Sequence, residues 1–162
     1  MKKINVHEVK SFIEAQSPET KIYIGGDSER IIIDNVWYAD YTLCIVVHLD
    51  GNKGCKVFGE VHRERIYDTN QERPRMRLMT EVMKIAELYL KFAEVLEDRY
   101  VEVHIDINPD ECHGSSCVIN EAVGYIRGMC NVVPIVKPNA WCASTAADRL
   151  KDILGEDELM SA

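Results

Sequence analysis

The sequence predicts one mixed α/β domain spanning residues 1–162, and three observations carry that prediction. Between residues 21 and 63, alternating apolar and polar positions are broken by turn chemistry, the mark of an antiparallel meander. After Pro74 the apolar spacing lengthens to the three-and-four pattern of a helix. From there helix and strand patterns alternate, which implies parallel strands joined by right-handed crossovers. Together these give a five-stranded mixed sheet, a meander beside parallel strands, flanked by helices and preceded by an extra N-terminal helix.

Each element has its own warrant. Asn5 and Glu8 form a capping box for a helix within residues 1–17, whose apolar face is Val6, Val9, Phe12 and Ile13. A first strand covers residues 21–28, with Ile22 and Ile24 on one face and Tyr23, Gly25 and Asp27 on the other. The long aromatic and β-branched run 35–49 and the alternating run 54–63 flank Asp50-Gly51-Asn52-Lys53-Gly54, a hairpin signal. Residues 74–98 are good helix formers behind an N-terminal proline. Residues 101–107 form a β-branched strand. Ser115 or Ser116 caps a helix that ends near Gly128. Residues 132–136 form a fifth strand and 139–154 a last helix, and the tail 155–162 frays.

Composition narrows the function classes. No apolar run reaches the roughly 20 residues that cross a bilayer, and no apolar core follows the charged N-terminus as a signal peptide requires. A cytosolic protein with no membrane partner is therefore expected. The six cysteines contain no Cys-x-x-Cys pair, and Cys112-His113-Gly114-Ser115-Ser116-Cys117 fits no common zinc spacing, so reduced and mostly buried thiols are expected. A net charge of −8 disfavours tight non-specific binding of nucleic acid. Two divalent cations in an acidic site would lower that to about −4, so a nuclease is not excluded.

Phosphoryl chemistry assisted by two metals needs carboxylates from separate elements that meet at one point, because hard cations prefer oxygen ligands. Asp27 stands at the end of the first strand behind Gly25 and Gly26, whose missing side chains let a ligand or another backbone approach. Asp106 lies opposite Val103, Ile105 and Ile107, on the strand face it shares with His104 and Asn108. An acid in so apolar a strand needs a metal, an arginine or a backbone amide. His104 itself reads as a hydrogen-bonded sheet histidine. On the long helix, Leu78, Val82, Ile85, Tyr89, Phe92 and Leu96 fall within roughly ±40° of one direction. Glu81 lies about 60° from the centre of that stripe and Glu87 about 180° away, so Glu81 alone can reach the end of the sheet. Asp148 sits one turn after Ser144 on a helix crowded with small residues. Arg77, Lys84 and Lys91, preceded by Arg63, Arg65, Arg73 and Arg75, form a basic stretch suited to neighbouring acids or to phosphates.

The segments IYIGGDS (22–28), RLMTE (77–81), VHIDINP (103–109) and KPNAWCASTAADR (137–149) resemble the YkuK-type family, which is predicted to be related to ribonuclease H. Gly124-Tyr125-Ile126-Arg127-Gly128-Met129 fits as well. The resemblance implies a ribonuclease H-like fold in which Asp27, Glu81, Asp106 and Asp148 bind Mg2+ or Mn2+ and carry catalysis. Two departures stand out. Residues 137–147 lack the histidine that ribonucleases H usually place before the last acid, where only His113 from another loop offers a replacement. Glu29 also makes an Asp-x-Glu with Asp27, similar to the first motif of proofreading exonucleases, but Trp141 and the small residues before Asp148 supply neither the Tyr nor the His that those enzymes carry a few residues before the last Asp.

The sequence thus points to a metal-dependent nuclease acting on RNA, DNA or their hybrid, with Ser28, Arg77, Lys84, Asn108, Lys137 and Ser144 as candidate substrate contacts. The alternative is a non-catalytic nucleic-acid- or protein-binding module that uses the basic stretch on the same scaffold. A homodimer joined through the aromatic run 36–41 at a sheet edge is a further possibility.

Overall fold

The structure is a computed structural model that describes residues 3–67, 74–110, 114–142 and 145. Helix α1 (Val6–Glu14) starts where Asn5 accepts a hydrogen bond from the Glu8 amide, one half of the expected capping box, and it buries Val9 and Ile13. Strands β1 (Lys21–Ile33), β2 (Val36–His48) and β3 (Cys55–Arg65) form the meander. Helix α2 (Arg75–Leu96), strand β4 (Tyr100–Ile105) and helix α3 (Ile119–Cys130) follow.

The sheet order is β3-β2-β1-β4, with β1 antiparallel to β2 and parallel to β4. One face carries Ile22, Ile24, Leu43, Ile45, Val103 and Ile105, and α1, α2 and α3 cover it with Ile13, Val82, Ile85, Phe92 and Ile126. Burying these side chains contributes about 1.5–3 kcal/mol each. The other face carries Cys44 and Val46, packed with Tyr23 and Cys142. Strand β2 is therefore buried on both faces over most of its length, which accounts for its continuous apolar run.

Four corrections to the sequence reading follow. The sheet has four strands among the described residues, not five. Ile135 makes a single parallel bridge to His104, through Ile105 N to Ile135 O (2.9 Å) and Ile135 N to Val103 O (2.8 Å). Pro134 and Pro138 bracket this segment, and each fixes φ and removes a donor, so no longer ladder forms. Second, β1 continues five residues past Ser28, because Asp34 and Asn35 both take positive φ (50° and 63°) and close a two-residue hairpin. Third, a 3-10 turn over Gly114–Val118 precedes α3, whose N-cap is Val118, so neither serine caps it. Fourth, β2 is paired on both sides, with Tyr38 opposite both Ile31 and Arg65, so its aromatic run is interior to the sheet and offers no edge for a dimer. The last helix beyond Cys142, the frayed tail, His113 and Cys112 lie outside the described residues. No described helix is long and apolar enough to cross a membrane.

Candidate functional site

The register of β1 and β4 brings the candidate acids toward one end of the sheet. Gly26 pairs with Ile105, the last residue of β4, so Asp27 and Asp106 each stand one step beyond that pair. Gly26 has a structural reason to lack a side chain. A Cβ there would lie 2.9 Å from the Thr42 carbonyl and 3.2 Å from Ile85, so glycine lets β2 and α2 close onto β1. The expected backbone approach is therefore real.

Ser28, two residues on and on the same face as Gly26, meets α2. Its hydroxyl donates to Glu81 Oε2 at 2.5 Å. Arg77, one helical turn before Glu81, donates from Nη1 to the Ser28 carbonyl at 2.6 Å and to its hydroxyl oxygen at 2.8 Å. Glu81 is only 1% exposed, whereas Glu87 is exposed, as their helical angles require. Burial holds the Glu81 carboxyl well above its usual range; the Ser28 hydrogen bond opposes this, and the charges of Asp27 and Asp106 reinforce it. Asp27 from β1 and Asp106 just past β4 thus lie close enough for their charges to act on Glu81 of α2.

A cation of the chain's own already stands among them. Lys137 Nζ forms an ion pair with Asp106 Oδ1 at 2.8 Å. Contact with Asp106 raises the Lys137 ammonium pKa, burial opposes the rise, and the charges of Asp27 and Glu81 add to it. The donor set is all oxygen, which suits a hard divalent cation. Among the described residues no three His, Cys, Asp or Glu side chains are arranged to hold a metal by themselves. Asp148 and Ser144 lie outside the described residues.

The other candidates have partners inside the chain. Lys84 Nζ is 2.6 Å from Glu64, and Asn108 Oδ1 accepts from the Asp110 amide at 2.9 Å. Arg63 makes a two-pronged contact with Asp40 at 2.7 and 2.9 Å, and Arg75 pairs with Glu121. Much of the basic stretch is therefore engaged within the fold, which weakens the binding-module alternative. Lys91 is exposed, and Arg73 lies outside the described residues. Because β1 continues, Glu29 shares the face of Asp27 by strand alternation, and it is exposed there.

His104 is the hydrogen-bonded sheet histidine expected. Its Nδ1 accepts from the Cys142 amide at 3.1 Å, so Nε2 carries the proton toward Glu102 Oε2 at 2.8 Å. Burial lowers its pKa. Sequence reasoning missed Glu102, although the i, i+2 spacing on one strand face was a usable signal. It also missed the cavity between β3 and α2, because that wall joins residues 41, 64–67 and 76–80, which no local pattern connects.

A mixed sheet of this order, with an acid on its first strand, on the long helix and at the end of the adjacent parallel strand, defines a ribonuclease H-like α/β protein. The chain belongs to the ribonuclease H-like family, whose model matches residues 5–152. Among solved structures it is similar to endonuclease V from Bacillus subtilis, at 20% identity and a TM-score of 0.31, over 65% of this chain and 45% of that one. So slight a likeness carries no weight for activity, and the chain spans under half of that neighbour's length. No curated protein matches the chain.

Proposed function

We propose that this protein is a metal-dependent nuclease of the YkuK type that hydrolyses a phosphodiester bond of RNA or DNA. Asp27, Glu81, Asp106 and Asp148 would together hold Mg2+ or Mn2+. The observation that carries this reading is a buried carboxylate, Glu81, held beside the sheet end where Asp27 and Asp106 stand one step past the paired Gly26 and Ile105. Lys137 offsets part of that negative charge, and a divalent cation would neutralise more of it. When bound, the ions activate water and stabilise the developing charge on the phosphate oxygens.

The chain's own residues prepare that chemistry. Ser28 fixes one oxygen of Glu81, and Arg77 fixes Ser28, so the carboxylate keeps one orientation without a flexible partner. Lys137 balances Asp106 and retains enough exposure to reach a substrate phosphate. Membership of the ribonuclease H-like family supports the reading.

The test is incubation with Mn2+ and labelled RNA, DNA and hybrid substrates, with an Asp27→Asn control. Cleavage should require Mn2+ and disappear in the variant. Equal cutting by both proteins would refute the assignment. So would the absence of any heat on calorimetric titration with Mn2+, since a plain binding module needs no metal.

A further inference from the structure

We infer that the cleft between the end of β3 and the start of α2 is a subsite for one unpaired nucleobase of the strand. The inference deepens the nuclease reading and rests on it for its biological sense, but its chemistry stands on different residues. The cavity measures about 410 Å³, within the range of small-ligand pockets. Tyr41, Glu64, Arg65, Tyr67, Arg77 and Thr80 are among its walls.

Two features of the walls select a base. The first is stacking surface. Tyr67 is 82% exposed, an unusual position for a large aromatic ring, and the Arg65 guanidinium already lies 5.1 Å from its centroid. Tyr41 is buried with its ring covered by the Lys84 ammonium at 5.3 Å, so the stacking surface is that of Tyr67 and Arg65. Aromatic rings and guanidinium planes are the surfaces on which single-stranded bases stack. The second feature is mixed hydrogen-bonding character. The Arg65 and Arg77 guanidiniums bring donors to the wall, although Arg77 spends Nη1 on Ser28 and its Nε is buried. Glu64 adds a carboxylate acceptor, anchored at Oε1 by Lys84. A base edge presents both donors and acceptors, which such a mixed wall can meet.

Position completes the case. Arg77 belongs to both places: it lines the cavity and, through Ser28, holds Glu81. A base seated in the cleft therefore keeps its own backbone close to the carboxylates. A fully paired duplex cannot deliver a base in this way, so the site favours unpaired strand.

The test is binding in EDTA at low ionic strength, which needs no cleavage. Fluorescence anisotropy follows a labelled ten-nucleotide single strand and the blunt duplex of the same sequence on the full chain, on Tyr67→Ala and on Tyr67→Phe. The single strand should bind more tightly than the duplex. Tyr67→Ala should weaken single-strand binding by about 5- to 150-fold, the worth of one stacked base, and leave duplex binding unchanged. Tyr67→Phe should keep the ring and the affinity. If Tyr67→Ala changes neither, or weakens single strand and duplex alike, the cleft is not a base subsite. Failure of Mn2+-dependent cleavage with these binding results intact would overturn the nuclease reading alone.

Discussion

His104 and Glu81 are both buried polar side chains, at 0% and 1% exposure, and the fold treats them in opposite ways. On one face of the sheet His104 has a partner at each ring nitrogen, and Tyr23 and Trp141 pack their rings against it at 5.7 and 5.3 Å. Burial keeps it neutral, and nothing about it asks for a further ligand. On the other face Glu81 has one hydroxyl donor, and its neighbouring charges are two more carboxylates, which Arg77 opposes. The first group is a satisfied network that specifies packing. The second is held by the fold in an unfavourable state, which is how a site that awaits a cation differs from a structural polar contact.

The largest effect expected from this contrast is on catalysis. Asp106→Asn should lower Mn2+-dependent cleavage by at least about a hundredfold, since loss of even an outer partner of a metal site costs 10- to 100-fold. The unfolding midpoint in urea should barely move, because Asp106 is not part of the apolar core. A variant that unfolds would place Asp106 with the structural group instead.

His104→Phe should do the reverse. A flat aromatic ring is kept, but Glu102 Oε2 and the Cys142 amide lose their partner. Each stranded group costs about 1–3 kcal/mol, so the unfolding free energy should fall by about 2–6 kcal/mol. Mn2+ binding by the remaining folded protein should be intact. The pH dependence has a definite sign. The folded His104 pKa lies below its ordinary 6.5, so its contribution is present above that pH and is lost as pH falls through the folded value. Wild type should lose stability on acidification in this window, and His104→Phe should lack that component.

Glu81→Gln carries a smaller effect of opposite sign. The folded Glu81 pKa lies above its ordinary 4.5, so its contribution is present below that pH and is lost as pH rises through the folded value. Without metal at neutral pH the amide should therefore be more stable than wild type, by about 1 kcal/mol, while cleavage is lost. The Ser28 hydroxyl can still donate to the amide oxygen. A destabilised Glu81→Gln would mean that the carboxylate is structural, as His104 is.

How much of this was legible from the residues depended on whether the signal was local. Strand alternation placed Ile22 and Ile24 in the core, and helical angle separated Glu81 from Glu87, because both depend only on backbone period. The β1–β2 hairpin was hidden because Asp34-Asn35 lacks the usual glycine. The fifth strand failed because proline limits pairing in a way that β-branched composition does not reveal. The Ser28–Glu81–Arg77 chain joins residues about fifty apart, which no spacing rule reaches. Chemistry-bearing residue types could be named from the sequence, but their partners could not.

The smallest effect, and the finest test of the contrast, concerns Lys137. Its ammonium sits 2.8 Å from Asp106, where a metal bound by that carboxylate would also bring positive charge. Two cations beside one carboxylate repel, so metal binding must displace or weaken the Lys137 contact. The side chain is 40% exposed, so the pair is screened by solvent and is worth on the order of 0.2–1 kcal/mol. Lys137→Gln should then tighten Mn2+ binding by about 1.4- to 5-fold in calorimetric titration. Cleavage at saturating Mn2+ should fall if the ammonium also contacts the substrate phosphate. Weaker Mn2+ binding in Lys137→Gln would show that the lysine supports the metal-bound form, and the ammonium could then no longer be read as standing where the cation's charge belongs.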